Sequence, residues 1–150
     1  MSKRSSRRSI GVFADLVKAI DWYDVSLQSI LQSRDLISVN RTQSVMLIHI
    51  AEGITRPSDI SYEMGTTRQN IHAMAKPLIE VGFLEMVPDP EDGRSKQYSF
   101  CRESQAQRDA VLQVLKYLDR KLAERLGKDA FKQLKHALSQ DWGEFISSDR

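Results

Sequence analysis

The sequence predicts a mainly α-helical fold with one small β-hairpin. Apolar residues recur every three or four positions through most of the 150 residues, which is the period of amphipathic helices. Two of the predicted helices meet at the glycine-containing turn GTT at 65–67. Short apolar segments at 83–87 and 96–101 then flank PDPEDGRS, which is dense in turn-forming residues. This order of elements predicts a winged helix-turn-helix, completed by helices at both ends of the chain.

Composition narrows the class of protein. Hydrophobic residues make up 41% of the chain and charged residues 28%, as in an ordinary soluble domain. Charged residues interrupt each apolar run before it reaches the roughly 20 residues that span a bilayer, so we expect a cytoplasmic protein without membrane contact. Cys101 is the only cysteine, which excludes an internal disulfide and a cysteine metal cluster. A buried packing role is favoured for it over a redox role.

Charge and apolar pattern divide the chain into four segments. We predict a basic flexible arm at 1–8, a dimerisation helix at 9–40, the winged helix-turn-helix at 41–101 and C-terminal dimerisation helices at 102–150. The net charge is +2, but residues 41–100 carry 6 basic and 8 acidic side chains. The arm adds four basic residues and no acid, so it can supply charge that this middle segment lacks.

The first two helices are predicted from apolar spacing and from signals at their ends. Ser9 can cap the start of the first helix. The second runs from Thr42, its predicted N-cap, to Glu52, and Gly53 is a natural residue to follow it. His49 lies beside apolar positions of this helix and is predicted to be a hydrogen-bonded core histidine rather than a ligand.

Helices three and four form the helix-turn-helix. Pro57 suits the first position of the third helix, which is predicted to end at Gly65. Thr67 is the predicted N-cap of the fourth helix, which covers 67–81. Pro77 lies inside the fourth helix and removes one backbone hydrogen bond, so we expect a bend in the turn before it.

Two amphipathic helices are predicted after the hairpin. The fifth covers 103–126 with a leucine-rich stripe, and Gly127 separates it from the sixth. Trp22 and Tyr23 of the first helix, like Trp142, are predicted to lie at an interface rather than to line a ligand pocket. The apolar stripe of the sixth helix is predicted to comprise Phe131, Leu134, Leu138, Trp142 and Phe145.

The segment VGFLEMVPDPEDGRSK at 81–96 has a glycine-aromatic-aliphatic start to its strand, followed by D-x-x-D-x-R. This segment resembles the wing of the MarR family of transcriptional regulators. The turn GTTRQNIHAM at 65–74 resembles the junction between that family's two reading helices, and the similarity extends over about 10–146. The matching wing positions are Gly82, Phe83, Leu84, Asp89, Asp92 and Arg94.

The resemblance implies a homodimer that binds double-stranded DNA, in which the first, fifth and sixth helices of two chains interlock. It also permits a small-molecule effector between the dimer helices and the winged part. Two departures from the family pattern remove positive charge from the wing. Met86 and Val87 precede the loop where basic residues are common, and Gly93 stands where a second basic residue is usual.

The fourth helix contains residue types that can read a DNA groove. A recognition helix needs small or polar residues in its first turns to enter a major groove about 12 Å wide. Arg68 can bond a guanine bidentately and Gln69 an adenine. His72 lies four residues after Arg68, and the sequence leaves open whether it contacts DNA or is simply solvated.

The wing supplies the second set of predicted contacts. Arg94 is predicted to enter a narrow minor groove, held in place by Asp89 or Asp92, and Lys96 to touch phosphate. An exposed ion pair without function is the alternative for Arg94. The DNA-binding residues predicted in the recognition helix 67–81, in the residue before it and in the wing 88–96 are Thr66, Thr67, Arg68, Gln69, Asn70, His72, Lys76, Arg94 and Lys96.

The predicted function is that of a homodimeric, sequence-specific transcriptional regulator reading a pseudo-palindrome. The alternative is a winged-helix protein-interaction or dimerisation module without specific DNA binding, favoured by the acidic balance of 41–100 and by Met86 and Val87. An enzyme is not expected, because the sequence has no phosphate-binding loop, dinucleotide fingerprint or nucleophile motif. Three dispersed histidines do not make a metal site, and no cofactor is expected.

Overall fold

The computed structural model describes residues 8–148, which form six α-helices and one hairpin. A short 3-10 turn at Arg102–Ser104 joins the hairpin to the fifth helix. The predicted fold class is confirmed. No helix within the described residues is both long and apolar enough to cross a membrane. The elements are α1 (Val12–Ser33), α2 (Arg41–Ala51), α3 (Pro57–Glu63), α4 (Arg68–Glu80), β1 (Leu84–Pro88), β2 (Lys96–Phe100), α5 (Gln105–Leu126) and α6 (Lys128–Ser139).

Helices α2, α3 and α4 share one apolar core with the hairpin. Met46 of α2, Ile60 of α3 and Ile71 of α4 are completely removed from solvent, and Tyr98 of β2 closes the same core. Burying a side chain of this size contributes about 1.5–3 kcal/mol. The core therefore fixes the hairpin against the three helices as one unit.

The hairpin is extended on one side by the segment before α3. β1 and β2 pair antiparallel, with Pro88 opposite Lys96. The carbonyl of Thr55 accepts a hydrogen bond from the backbone N–H of Tyr98 at 2.9 Å, and its hydroxyl donates to Gln97 at 2.8 Å. The segment before α3 therefore pairs with β2 through both the backbone and the side chain of Thr55. Pro88 was predicted in the loop and instead ends β1, a strand position that tolerates a residue without an N–H.

A smaller second core lies between α1 and α5. Leu31, Val114 and Leu118 are buried there, and Val114 was not part of the stripe predicted for the fifth helix. The hydroxyl of Tyr23 donates to the carboxylate of Asp119 at 2.7 Å, which ties the two helices together at the edge of this core. The chain thus has separate cores for its winged part and its terminal helices.

The first helix begins later than predicted. Gly11 precedes it, and no side chain caps it. The hydroxyl of Ser9, the predicted cap, instead donates at 3.0 Å to the carboxylate of Asp15. Asp15 lies in the first turn of the helix. The predicted basic arm falls outside the described residues except for Arg8, which is exposed.

The sixth helix ends earlier than predicted. Its last residue is Ser139, so Trp142 and Phe145 do not belong to its stripe. The indole N–H of Trp142 donates to the carbonyl of Ala137 at 3.1 Å, which folds the following segment back over the helix end. Phe145 contacts Tyr62 of α3, with ring centroids 5.2 Å apart.

The cap of α2 is Asn40 rather than the predicted Thr42. The side-chain oxygen of Asn40 accepts a hydrogen bond from the N–H of Gln43 at 2.8 Å, and the side chain of Gln43 accepts one from the N–H of Asn40 at 3.0 Å. This reciprocal pair is a complete capping box. After α2 and α4, Gly53 and Gly82 have φ angles of 95° and 74°, a left-handed conformation that glycine adopts readily at the end of a helix.

Replacing Asn40 should test this assignment. Asn40→Ala should lower the free energy of unfolding by about 0.5–2 kcal/mol, because the N–H of Gln43 loses its acceptor. Urea denaturation measures the change. Thr42→Ala is the matched control and should cost much less. A loss at Thr42 as large as the loss at Asn40 would contradict the cap assignment.

Candidate nucleic-acid interface

The start of α4 is organised by three of the predicted DNA-binding residues. The hydroxyl of Thr67 accepts a hydrogen bond from the N–H of Asn70 at 3.1 Å, which confirms Thr67 as the N-cap. The side-chain amide of Asn70 donates to the hydroxyl of Thr66 at 2.9 Å. These bonds fix the first turn, whose remaining N–H groups carry the partial positive charge of a helix N-terminus.

The exposed face of α4 presents polar side chains that are not engaged elsewhere in the described chain. Arg68, Gln69 and Lys76 are exposed, and their side chains make no hydrogen bond or ion pair with residues 8–148. No acidic residue occurs between Gly65 and Ile79. Their helix is held from the opposite side by the buried Ile71. A rigid helix therefore offers free donors and positive charge along one face.

Helix α4 continues through Pro77 to Glu80. Proline has no N–H to donate to the carbonyl of Ala73. The neighbouring carbonyl of Met74 accepts a hydrogen bond from the side chain of Gln43 at 3.2 Å. This bond ties α2 to α4 one residue beyond the carbonyl that lacks the proline's N–H. The predicted bend stays a prediction.

The turn at the tip of the wing is built by Asp92. Its carboxylate accepts hydrogen bonds from the N–H of Arg94 at 3.1 Å and from the hydroxyl of Ser95 at 2.9 Å. The N–H of Ser95 also donates to the carbonyl of Asp92 at 2.9 Å. The guanidinium of Arg94 is exposed and makes no hydrogen bond within the described residues, and Lys96 is exposed as well. Asp92 thus holds the backbone of Arg94 and leaves its charge free.

Asp89 does not hold Arg94, contrary to one of the two predicted pairings. Its side chain is 2% exposed and accepts hydrogen bonds from Nε and Nη2 of Arg56 at 2.6 and 3.4 Å. Arg56 also donates to the carboxylate of Glu91 at 2.9 Å. The bonds from Arg56 lower the pKa of Asp89, and the bonds to Asp89 and Glu91 raise the pKa of Arg56. The reason is position: Arg56 lies beside the base of the wing, whereas Arg94 lies at its tip.

Arg56 is the residue of this region that sequence reasoning missed. It precedes Pro57, and this neighbour keeps it in an extended conformation with φ −77° and ψ 133°, outside the helix that follows. From there its guanidinium reaches the wing 33 residues further along the chain. The conformation was predictable from the proline, but no sequence spacing identified the partner.

His72 is tied to the wing. Its Nδ1 shares a hydrogen bond with the hydroxyl of Tyr98 in β2, and the two ring centroids are 5.7 Å apart. Tyr98 is 1% exposed, and burial raises its pKa to about 12, so it stays protonated at neutral pH. His72 nevertheless remains exposed on α4. His72 is therefore exposed and at the same time hydrogen-bonded to Tyr98. The sequence did not predict this hydrogen bond.

The remaining candidates for site chemistry have structural explanations. His49 was predicted to be hydrogen-bonded, but its Nδ1 is buried without a partner in the described residues, because packing of α2 supplies no donor or acceptor there. Cys101 is 7% exposed, as its predicted packing role requires, and burial raises the pKa of its thiol. A redox sensor needs the opposite shift. No three potential metal ligands come together among residues 8–148.

A second surface runs along α1 and α6, where large apolar side chains face solvent. Exposure reaches 82% at Phe13, 49% at Ile20 and 48% at Leu138. Many large exposed apolar side chains on neighbouring helices are typical of a site of association. The set also includes Val12, Val17, Val25, Leu112, Leu126, Leu134, Trp142 and Phe145, some of them on α5 or after α6.

A cleft of about 650 Å³ lies where the two parts of the chain meet. It is lined by Leu36 before α2, by Pro77 and Phe83 around the end of α4, and by Gln107 of α5. This is the region in which the resemblance permits an effector, and that possibility stays a prediction. Trp22 and Tyr23 pack against the core between α1 and α5, and both also line a second cleft between α1, α5 and α6.

Comparison with known proteins supports the fold. No protein-family model and no curated protein sequence matches the chain. Wild-type MarR from E. coli in its apo form is 20% identical with a TM-score of 0.63, over 87% of this chain and 96% of that one. A mutant of E. coli MarR complexed with operator DNA is 21% identical with a TM-score of 0.61, over 84% of this chain and 90% of that one. A transcriptional regulator from Thermotoga maritima is 21% identical with a TM-score of 0.55, over 84% and 88%. The predicted resemblance to the MarR family is thus confirmed at the level of the fold.

Removing Arg56 should destabilise the protein in a pH-dependent way. Arg56→Ala should lower the free energy of unfolding at neutral pH, because the buried carboxylate of Asp89 loses the two hydrogen bonds from Arg56 and its partner of opposite charge. A lowered carboxyl pKa contributes stability above the unfolded-state pKa of about 3.9, and this stability is lost as pH falls through the folded-state value. The deficit of the variant should therefore shrink below about pH 4.

Denaturant unfolding across this pH range measures the effect. Arg94→Ala is the matched control and should leave stability unchanged, because its guanidinium makes no hydrogen bond within the described chain. An equal deficit for both variants, or one that persists undiminished in acid, would contradict the assignment of Arg56.

Proposed function

We propose that this protein is a homodimeric, sequence-specific DNA-binding transcriptional regulator. One observation carries the proposal: α4 presents Arg68 and Gln69 unengaged at a capped helix start, in the same rigid unit as a wing whose Arg94 is also unengaged within the described residues. The fold shared with a MarR protein complexed with operator DNA supports it.

The proposed reading helix is α4. Arg68 and Gln69 lie in its first turn, where a helix entering a major groove meets the base edges. No bond within the described chain has to break before these side chains engage a base. A bidentate pair of arginine with guanine, or of glutamine with adenine, is worth about 1–3 kcal/mol of discrimination. Two such residues per protomer are sufficient to prefer one sequence over another.

The wing is proposed to contribute one local contact with DNA rather than a broad area of positive charge. Arg56 and residues 89–96 together carry three basic and three acidic side chains, so their formal charges cancel. Asp89 and Glu91 are both paired with Arg56. Arg94 is therefore the residue we assign to the neighbouring minor groove, where a narrow groove concentrates negative potential.

The alternative, a protein-interaction module, loses part of its support. Met86 stands where basic residues are common in the MarR family, and an exposed methionine there would favour a protein partner. Met86 instead packs against the core of the winged part. This departure removes charge from the wing without creating an apolar docking patch at that position.

The exposed apolar faces of α1 and α6 are the proposed dimer surface. Apolar side chains of this number are normally covered in a stable protein. A second copy of the chain would cover them and would extend the small core between α1 and α5. Two-fold symmetry would then present two copies of α4 to a pseudo-palindrome, and entry into successive major grooves on one side of the duplex would require half-sites one helical turn apart, about 10 base pairs.

Charged substitutions on this surface should separate the protomers. Ile20→Glu and Leu138→Glu should each reduce the sedimenting mass from about twice 17.2 kDa toward that of the single chain, because a carboxylate would be buried in the interface. Val81→Glu is the control: it is 70% exposed but follows α4, outside the proposed surface. A wild-type monomer, or equal dissociation of all three variants, would contradict the proposed interface.

A substitution in α4 should change the preference for particular bases, whereas a substitution in the wing should change the affinity for any DNA sequence. Arg68→Ala should relax preference at one base pair, costing about 1–3 kcal/mol on the preferred site and little on a scrambled one. Arg94→Ala should weaken binding to both duplexes. Lys132→Ala, which removes an exposed charge from α6, is the control and should change neither. The assignment is wrong if neither Arg68 nor Arg94 affects binding.

A further inference from the structure

The contact between His72 and Tyr98 joins the reading helix to the wing. His72 lies four residues after Arg68, so the two share a face of α4. Tyr98 belongs to β2, where its backbone N–H also donates to Thr55 at 2.9 Å. The tyrosine side chain is buried and its ring contacts the imidazole. His72, an exposed residue of the reading surface, is therefore held on its inner side by Tyr98, which is buried and cannot reach DNA.

The direction of this hydrogen bond follows from what each group can do. A neutral imidazole has one nitrogen that donates and one that accepts. Within the described residues, Nδ1 of His72 is the only hydrogen-bond partner of the Tyr98 hydroxyl. If Nδ1 carried the proton, the buried hydroxyl would have to accept, and its own hydrogen would have no acceptor there. Buried donors are rarely left in that state. Tyr98 therefore donates, and Nδ1 accepts.

We infer that Tyr98 holds His72 in the tautomer protonated at Nε2, so that α4 presents an imidazole N–H donor to a hydrogen-bond acceptor on DNA. The inference rests on the proposed function and adds a specificity-determining pair to it. Tyr98 acts only through His72, so it is a positioning residue.

The tautomer decides which chemical group His72 can recognise. An Nε2–H donor suits N7 of a purine, O6 of guanine, O4 of thymine or a phosphate oxygen. The other tautomer would present an acceptor, which suits the amino groups of adenine and cytosine. The hydroxyl of Tyr98 thus decides whether His72 offers DNA a hydrogen-bond donor or an acceptor. We assign the donor to a base edge, because His72 shares its face with Arg68, and to N7 of a purine in particular, because adenine and guanine both present this acceptor in the major groove.

The tautomer can be measured without DNA. Nitrogen-15 NMR of the full chain, labelled at histidine and kept at mildly alkaline pH, distinguishes a protonated from an unprotonated ring nitrogen. His72→Asn identifies the His72 signals by their loss. The wild type should show protonated Nε2 and unprotonated Nδ1, and Tyr98→Phe should give a mixture of both forms. A wild type protonated at Nδ1, or a tautomer unaffected by Tyr98→Phe, would overturn the inference.

Binding experiments test the donor on DNA. Tyr98→Phe should lower affinity for the preferred duplex by about threefold to tenfold, the value of one hydrogen bond, and leave a scrambled duplex unaffected. His72→Gln should retain more affinity than His72→Asn, because the longer amide places an N–H near the position of Nε2. Substituting 7-deazapurines at the contacted step should remove the effect of Tyr98→Phe. If a methylphosphonate removes it instead, the donor contacts phosphate and the assignment to a base edge is wrong.

These outcomes separate the inference from the proposed function. A wild type that binds no duplex specifically would overturn the proposed function, and with it the role of the donor, while the NMR result still reports the tautomer. Specific binding by the wild type together with unchanged affinity of Tyr98→Phe would overturn the inference alone. Unfolding midpoints of Tyr98→Phe and of both His72 variants show whether a loss of affinity reflects a loss of fold.

Discussion

Asp89 lies at the base of the wing, where its carboxylate is removed from solvent and accepts two hydrogen bonds from Arg56. A buried charge needs a partner of opposite sign. The base of the wing is therefore stable in its observed position only when Asp89 pairs with Arg56, the residue before α3. The pairing of Thr55 with β2 secures the same junction from the other side. The angle between wing and reading helix, on which any groove contact depends, is therefore set by interactions that do not themselves touch DNA.

The structure separates two tasks between two cores. The larger core, around Ile60, Ile71 and Tyr98, fixes the wing and α4 as one unit. The smaller core, around Leu31 and Val114, joins α1 to α5 and leaves the outer faces of the terminal helices uncovered. In the proposed function, DNA recognition would therefore depend on the unit built on the larger core, and association on the apolar surface outside the smaller core. A change in how the two protomers of the proposed dimer meet would then move these units as rigid bodies, without altering the contacts inside them.

Local signals were predictable from the sequence, and long-range partners were not. Thr67 was correctly predicted as a cap because the bond joins residues three apart. Asn40 was missed in favour of Thr42, since both lie near the helix start and both residue types can cap. Asp89 was predicted, with Asp92 as the alternative, to hold Arg94 in the same loop, because its true partner, Arg56, lies 33 residues away and becomes a neighbour only through folding. The bond between His72 and Tyr98 likewise joins two elements whose register the sequence does not specify. The fold class depends on the spacing of apolar residues and was predictable. Which side chains pair with each other at the candidate site depends on tertiary geometry and was not.

Selection from pooled random duplex DNA, with the bound fraction sequenced and the affinity titrated with salt, tests the central claim most directly. The account predicts an enriched pseudo-palindrome with half-sites about 10 base pairs apart. Affinity for it should fall with salt by a logarithmic slope of about −0.9 for each phosphate neutralised. Sequences without enrichment, bound weakly and without dependence on salt, would contradict the account and identify the winged unit as a surface for another protein.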